Sequence, residues 1–172
     1  MLRMVRSCLL SGLILMSFSA AGWAAPVAAT PKARGEVVLL RPLTLVKLAD
    51  MDFATLGVTT GGTATIDPIG GTMSVAGGLL HLAGTPSPAR YAGAASKRTV
   101  VNIRVPKQPV LIRRVGGTET LSVSNFTLDG QDKRALADAS SFRFAVGAQI
   151  TVPAGTVEGV YVGDIDVTVQ YP

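Results

Sequence analysis

The stretch Gly159-Val160-Tyr161-Val162-Gly163-Asp164-Ile165-Asp166-Val167-Thr168-Val169-Gln170-Tyr171-Pro172 closes the sequence and decides its fold class. Tyr161, Ile165, Val167, Val169 and Tyr171 share one parity, while Asp164, Asp166, Thr168 and Gln170 share the other. A period of two marks a β-strand with one face buried and the other in water. Such a strand must enter a sheet, either within its own fold or in an assembly, so this end of the chain is expected to be structural.

The same period runs through the middle of the chain. Val101, Ile103 and Val105 alternate with Asn102 and Arg104, Pro106 closes that strand, and Val110-Leu111-Ile112 opens another. Leu121 and Val123 keep one parity and Phe126 and Leu128 the opposite one, which a β-bulge near Asn125 reconciles. Phe142, Phe144, Val146, Ala148, Ile150 and Val152 hold a single parity against Arg143, Gln149 and Thr151. Between Thr59 and Gly84 glycine is dense and the apolar pieces are short, which predicts a meander of short strands. Ala92-Gly93-Ala94-Ala95-Ser96 carries no pattern and is expected to connect strands. Asp132 to Ala139 is the only helical candidate, worth one turn at most. The expected class is therefore all-β, a β-sandwich of about eight or nine strands.

Ahead of this lies Glu36-Val37-Val38-Leu39-Leu40-Arg41-Pro42-Leu43-Thr44-Leu45-Val46-Lys47-Leu48, too apolar for a loop and interrupted by a proline that cannot donate to a central ladder. One element on each side of Pro42 is expected. Leu48 to Leu56, with Asp50 and Asp52 two apart, reads as a bend leading into a short strand.

The first residues have a different character. Arg3 and Arg6 precede the apolar run Cys8 to Phe18, and Ala20-Ala21-Gly22-Trp23-Ala24-Ala25 follows it. Charge, a short apolar segment and then small residues predict a secretory signal peptide over 1–24, cleaved after Ala24. The run is too short to span a membrane, so no stable span is expected after cleavage. Residues 25–35, rich in Pro, Ala and Gly, are expected to form a flexible arm, and 36–172 a single β-sandwich domain. Export removes the only cysteine, Cys8, and with it any disulfide or thiolate site. It also leaves 14 basic against 11 acidic side chains, a net charge of +3 spread along the chain, which gives no nucleic-acid footprint. The expected destination is the periplasm, the cell surface or the medium.

The chemistry-bearing residues are sparse. There is no Gly-x-Ser-x-Gly, no cysteine after the leader and a single histidine, His81, which strand parity sets apart from Leu80 and Leu82. One histidine without a thiolate makes no tetrahedral zinc site. The pairs Asp50/Asp52 and Asp164/Asp166 each share a strand face, and solvated outer faces account for them better than calcium binding or acid–base work. Nine aromatic residues in the whole chain supply no stacking platform for nucleic acid and weaken a glycan-binding reading. No catalytic residue, metal ligand or cofactor is expected, and no enzymatic activity.

Several blocks in order carry a family resemblance: Leu48-Ala49-Asp50-Met51-Asp52-Phe53, Gly62-Thr63-Ala64-Thr65-Ile66-Asp67-Pro68, Phe144-Ala145-Val146-Gly147-Ala148, Gly159-Val160-Tyr161-Val162-Gly163 and Val167-Thr168-Val169-Gln170-Tyr171. From about Val37 to Tyr171 the chain resembles the bacterial secreted family catalogued as domain of unknown function 4402. Members commonly carry glycine after the Asp-Phe pair, where this chain has Ala54. The resemblance implies an immunoglobulin-like, pilin-like β-sandwich, similar to fimbrial subunits and non-enzymatic. In such subunits a β-strand from one copy is added to the next. Carried onto this chain, the resemblance makes Val37, Val38, Leu39 and Leu40 the candidate donor, and the terminal stretch, with Tyr161, Ile165, Val167, Val169 and Tyr171, the border of the receiving groove. The alternative is that Val37 to Leu40 completes the sandwich of its own molecule. The partners implied are further copies, other pilin-like subunits and a periplasmic assembly chaperone, for which Tyr171 would be a recognition point. The expected function is an exported structural subunit of a fimbria-like or other surface assembly. A monomeric secreted module binding a small ligand or glycan is the second expectation.

Overall fold

The structure is a computed structural model and describes residues 31–32, 34–138 and 140–172. The expected leader and residues 25–30 and 33 of the arm lie outside the described residues. The chain divides into two units, Met1–Val38 and Leu39–Pro172. The described residues of the first contain no helix or strand, whereas the second holds eleven β-strands and no helix among its described residues.

The longest strands form where the sequence alternates longest. Ser141–Val152, the ninth strand in chain order (β9), buries Phe142, Phe144, Val146, Ala148, Ile150 and Val152 on one face. Along one edge it pairs antiparallel with Thr120–Leu128 (β7). Its other edge is divided: Ser141–Val146 pairs with Ala89–Ala94 (β4), and Gln149–Val152 with the end of Thr55–Ile66 (β2). Thr44–Ala49 (β1) adds to β4, Met73–Ala83 (β3) to β2, and Val110–Arg114 (β6) followed by Tyr161–Val162 (β10) extend beyond β7. A second antiparallel sheet places Thr99–Arg104 (β5) between Lys133–Leu136 (β8) and Thr168–Gln170 (β11). The result is the expected all-β sandwich, with eleven strands among the described residues because several are short.

Two apolar clusters lie along the inner face of β9. At its start, Phe142, Phe144 and Val146 meet Tyr91, Val101, Ile103 and Leu136, so this cluster is the filling between the two sheets. Phe144 stacks on Tyr91 at 5.1 Å between ring centres and on Phe142 at 6.2 Å. At its end, Ala148, Ile150 and Val152 meet Ala64, Leu79, Ile112, Leu121 and Val123. Each large side chain buried here contributes about 1.5–3 kcal/mol. Met51 and Phe126 pack against both clusters.

The glycine-dense region differs from the expected meander. It is one long hairpin of β2 and β3, with Gly61 opposite Gly78 and Gly62 opposite Gly77 inside the strands. The register shifts between Val58 and Gly61, Gly61 and Gly77 have φ of 84° and 74°, and a Cβ on Gly62 would sit 2.0 Å from the Ala76 carbonyl oxygen. Backbones this close and this curved admit only glycine, and the hairpin turns a corner there. Leu56 and Leu79 on its far half thereby pack on the same cluster as Ala64 on its near half.

Three further expectations are corrected. Ala92 to Ala94 belongs to β4, because the ring of Phe142 lies over Gly93, where a Cβ would come within 2.3 Å of it. The small residues make room for an aromatic from the neighbouring strand. Lys133–Leu136 is strand β8 and not a helical turn, since it buries Leu136 and pairs with β5. Of the two elements expected around Pro42 only β1 is a strand, and residues 34–43 contain none. The bulge near Asn125 is where it was expected, between Ser124 and Thr127, with Asn125 at φ 50°.

Ala54 holds the tight turn that the resemblance implied. It sits at φ 56°, and its N–H donates to Asp52 Oδ1 at 2.7 Å while Asp52 and Ser87 exchange backbone hydrogen bonds. An alanine in this region costs about 1–2 kcal/mol, against about 0.5–1 kcal/mol of chain entropy that a glycine loses on folding. Ala54→Gly is therefore expected to stabilise the fold by up to about 1 kcal/mol, read as a rise of about 2–4 °C in Tm by calorimetry.

The β6–β7 hairpin carries a two-bond ion pair. Arg114 donates to Glu119 through Nε at 2.7 Å and Nη2 at 3.1 Å. These bonds to Arg114, helped by backbone N–H donors, hold the Glu119 carboxyl at about 2, below its ordinary 4.5. Because the folded-state value is the lower one, the stabilisation is complete above about 4.5 and drains away as the pH falls toward 2. Glu119→Gln should unfold at a midpoint that falls less steeply than the parent's between those two pH values, measured by thermal denaturation.

Candidate functional site

The terminal stretch keeps the alternation read from its sequence and distributes it differently. Tyr161, Ile165, Val167, Val169 and Tyr171 are half-buried, and Asp164, Asp166, Thr168 and Gln170 are exposed. It forms two short strands where one was expected: β10 pairs with β6 in the larger sheet, and β11 with β5 in the smaller. The residues between them, 163–167, are outside any strand and carry the chain from one sheet to the other. Tyr161 packs on the second cluster and donates its hydroxyl to the Val157 carbonyl at 2.7 Å. Val167, Val169 and Tyr171 pack on the first.

Tyr171 ties the two ends of the domain together. Its hydroxyl accepts from the Ser96 N–H at 2.9 Å and donates to the Arg41 carbonyl at 2.8 Å. The Arg41 N–H in turn donates to Ser96 Oγ at 2.6 Å. This junction was not foreseen, because its partners lie 55 to 130 residues apart and only one is a side chain with a distinctive signature.

Ahead of Arg41, the candidate donor residues are exposed: Val37 79 %, Val38 73 %, Leu39 87 % and Leu40 45 %. None belongs to a strand, so in this structure they do not complete the sandwich by strand pairing. Leu43 and Leu45, just beyond, are half-buried against the first cluster together with Val167, Val169 and Tyr171. The structure thus brings the terminal stretch together with the start of β1, and leaves Val37 to Leu40 outside the sheets.

Sheet edges are the other feature that patterning alone does not disclose. Among the described residues β1, β3, β8, β10 and β11 each pair on one side only. β1 carries Lys47, and β8 carries Lys133 and Arg134, the charges that discourage edge pairing. β11 is short and continues an exposed acidic run, Asp164 and Asp166.

A surface cleft of about 260 Å³ lies at the β2–β3 turn, lined by Thr65, Ile66, Asp67, Pro68, Thr72, Ser74 and Thr127. Beside it, Gln149 accepts from Asn125 Nδ2 at 2.8 Å and donates to Thr65 Oγ1 at 3.1 Å. The Asp67 carboxylate is occupied by the Gly70 N–H at 2.6 Å. The hydroxyls arrive from separate strands and a turn, so no local motif announces them.

The remaining candidates behave as ordinary surface groups. His81 is exposed and its Nε2 lies 3.1 Å from the Gly84 carbonyl. Asp50 pairs with Lys47, whose ammonium pKa it raises through a hydrogen bond and its charge. Asp52 caps Ala54, and Asp129 pairs with Arg134. Among the described residues no three His, Cys, Asp or Glu side chains converge as metal ligands, and no helix is long and apolar enough to cross a membrane.

No curated protein and no solved structure matches the chain. The model of one family does, over residues 43–171, the span that runs from the start of β1 through β11. The chain belongs to that family, described as a domain of unknown function, DUF4402.

Proposed function

We propose that the protein is a non-enzymatic, exported structural subunit of a fimbria-like or other surface assembly, joined to its neighbours by β-strand addition. The observation that carries this reading is the pairing of an unplaced strand former with an incomplete edge. Val37 to Leu40 is an apolar run of β-branched and leucine side chains held in no strand, with three of its four residues more than 70 % exposed. Exposing such a run in water is unfavourable by about 25 cal/mol per Å² of apolar surface, so a partner that covers it gains that free energy. The half-buried residues of the first cluster, Leu43, Leu45, Val167, Val169 and Tyr171, come from next to or within edge strands, where an added strand would finish the covering. The alternative, a monomeric module for a small polar ligand or glycan, is favoured by the hydroxyl-lined cleft at the β2–β3 turn.

Deleting residues 25–40 while retaining Arg41, whose backbone is bonded to Ser96 and Tyr171, separates the two readings. The shortened chain should remain a folded monomer with Tm within about 3 °C of the parent, since the described residues of the deleted span are exposed and such residues add little to stability. The parent is expected to form heat- and detergent-resistant multimers, and the shortened chain to lose them, as read by gel electrophoresis and electron microscopy. A parent that stays monomeric at high concentration, while binding a sugar at the cleft, would move the assignment to the binding module.

A further inference from the structure

Strand addition by itself specifies neither the receiving edge nor the direction of the incoming segment. We propose that the outer edge of β11 receives residues Glu36 to Arg41 of a second copy of this chain, running antiparallel, with Leu40 opposite Val167, Val38 opposite Val169 and Arg41 opposite Asp166. This rests on the reading of the protein as a strand-adding subunit.

Side-chain parity sets the register. Residues directly opposite in an antiparallel pair lie on the same face of the sheet. Val167 and Val169 face the first cluster, so Leu40 and Val38 opposite them enter it as well, while Leu39 and Val37 stand outside with Thr168 and Gln170. A slip of one residue in either direction turns every side chain over and drives the Arg41 guanidinium onto the apolar face beside Val167 or Ile165.

Charge sets the direction. The segment begins with an anion, Glu36, and ends with a cation, Arg41, both exposed. Its receiving edge begins with exposed Asp164 and Asp166 and ends at Tyr171, whose hydroxyl is bonded to Ser96 beside Lys97 and Arg98, of which Arg98 also pairs with Asp138. Antiparallel docking puts Arg41 against the aspartates and Glu36 beside the basic turn. Parallel docking juxtaposes like charges at both ends, which disfavours it. Among the described residues neither Arg41 nor Asp166 has an ion-pair partner within its own chain. Of the longer free edges, β3 carries no Lys, Arg, Asp or Glu to select a direction, and β1 carries only Lys47, which pairs with Asp50.

The same arrangement fixes the polarity of the assembly. The Arg41 backbone is held at the Tyr171 end of β11, so each copy sends out its own segment from that end. The incoming copy's body lies beyond Arg41 of its segment, at the Asp166 end. Each copy's own segment thus leaves at one end of the edge while the incoming body sits at the other, a head-to-tail contact that propagates into a filament unless the rotation per copy closes a ring.

Cysteine cross-linking of the full chain tests the register. In a Cys8→Ser background, Leu39→Cys with Thr168→Cys places the two thiols opposite each other on the outer face, and mild oxidation should give a ladder of disulfide-linked multimers. Leu39→Cys with Gln170→Cys, or with Ser74→Cys on β3, should give little. Arg41→Asp and Asp166→Arg should each reduce cross-linking about threefold to fivefold, and the double exchange should restore it. Preferential cross-linking to position 170 or 74, or a double exchange that restores nothing, overturns the proposed edge and register while leaving the assembly reading in place. Absence of multimers of the parent chain under every condition overturns both.

Discussion

Burying one face of β9 along its whole length is the constraint on which the rest of the structure depends. Six alternate residues from Phe142 to Val152 are apolar, and twelve residues of extended chain reach about 40 Å, more than one short neighbour can flank. The edge of β9 is therefore shared between β4 and β2, and its inner face between two clusters. The second sheet covers the first cluster. The second cluster takes part of its cover from the β2–β3 hairpin, which brings Leu56 and Leu79 onto it only because paired glycines let it turn a corner.

Alternation made this strand, β5, β7 and the fold class legible in the sequence. The bulge at Asn125 was legible too, because a change of parity inside an apolar run has few other structural readings. Glycine and alanine were misleading for a physical reason. In β4 and in the β2–β3 hairpin they mark places where another backbone or the Phe142 ring comes within van der Waals contact, and such contacts are set by partners remote in sequence. β8 was hidden because only four residues pair and only Leu136 among them reaches the core, too little for a period to be visible. Of the candidate site, the half-buried face of the terminal stretch was readable, whereas the junction of Tyr171 with Ser96 and Arg41 was not. Two of its three members contribute backbone atoms, and backbone atoms have no signature in composition.

Ala54 shows how family pattern and local energy meet. Asp52 caps the turn through its carboxylate and the Asp52–Ser87 bridge fixes the chain on either side, so the backbone adopts the left-handed conformation whether glycine or alanine occupies it. The surrounding hydrogen bonds over-determine the conformation and carry the strain of the methyl group.

Strand pattern in this sequence exceeds the strand pairing that one copy provides, and the excess is localised. From Asp164 to Tyr171 alternation is unbroken, yet only residues 168–170 of that run are paired. From Glu36 to Leu48 the chain is rich in strand formers on both sides of Pro42, yet pairing begins at Thr44. The two shortfalls lie at the two ends of the domain, which the Tyr171 hydroxyl draws together at Arg41. Elsewhere in the molecule pattern and pairing agree closely: in β5, β7 and β9 each alternating run is also a ladder. The chain thus maintains the chemistry of a strand where its own fold supplies no partner, and it is on this mismatch that the proposed strand addition between copies rests.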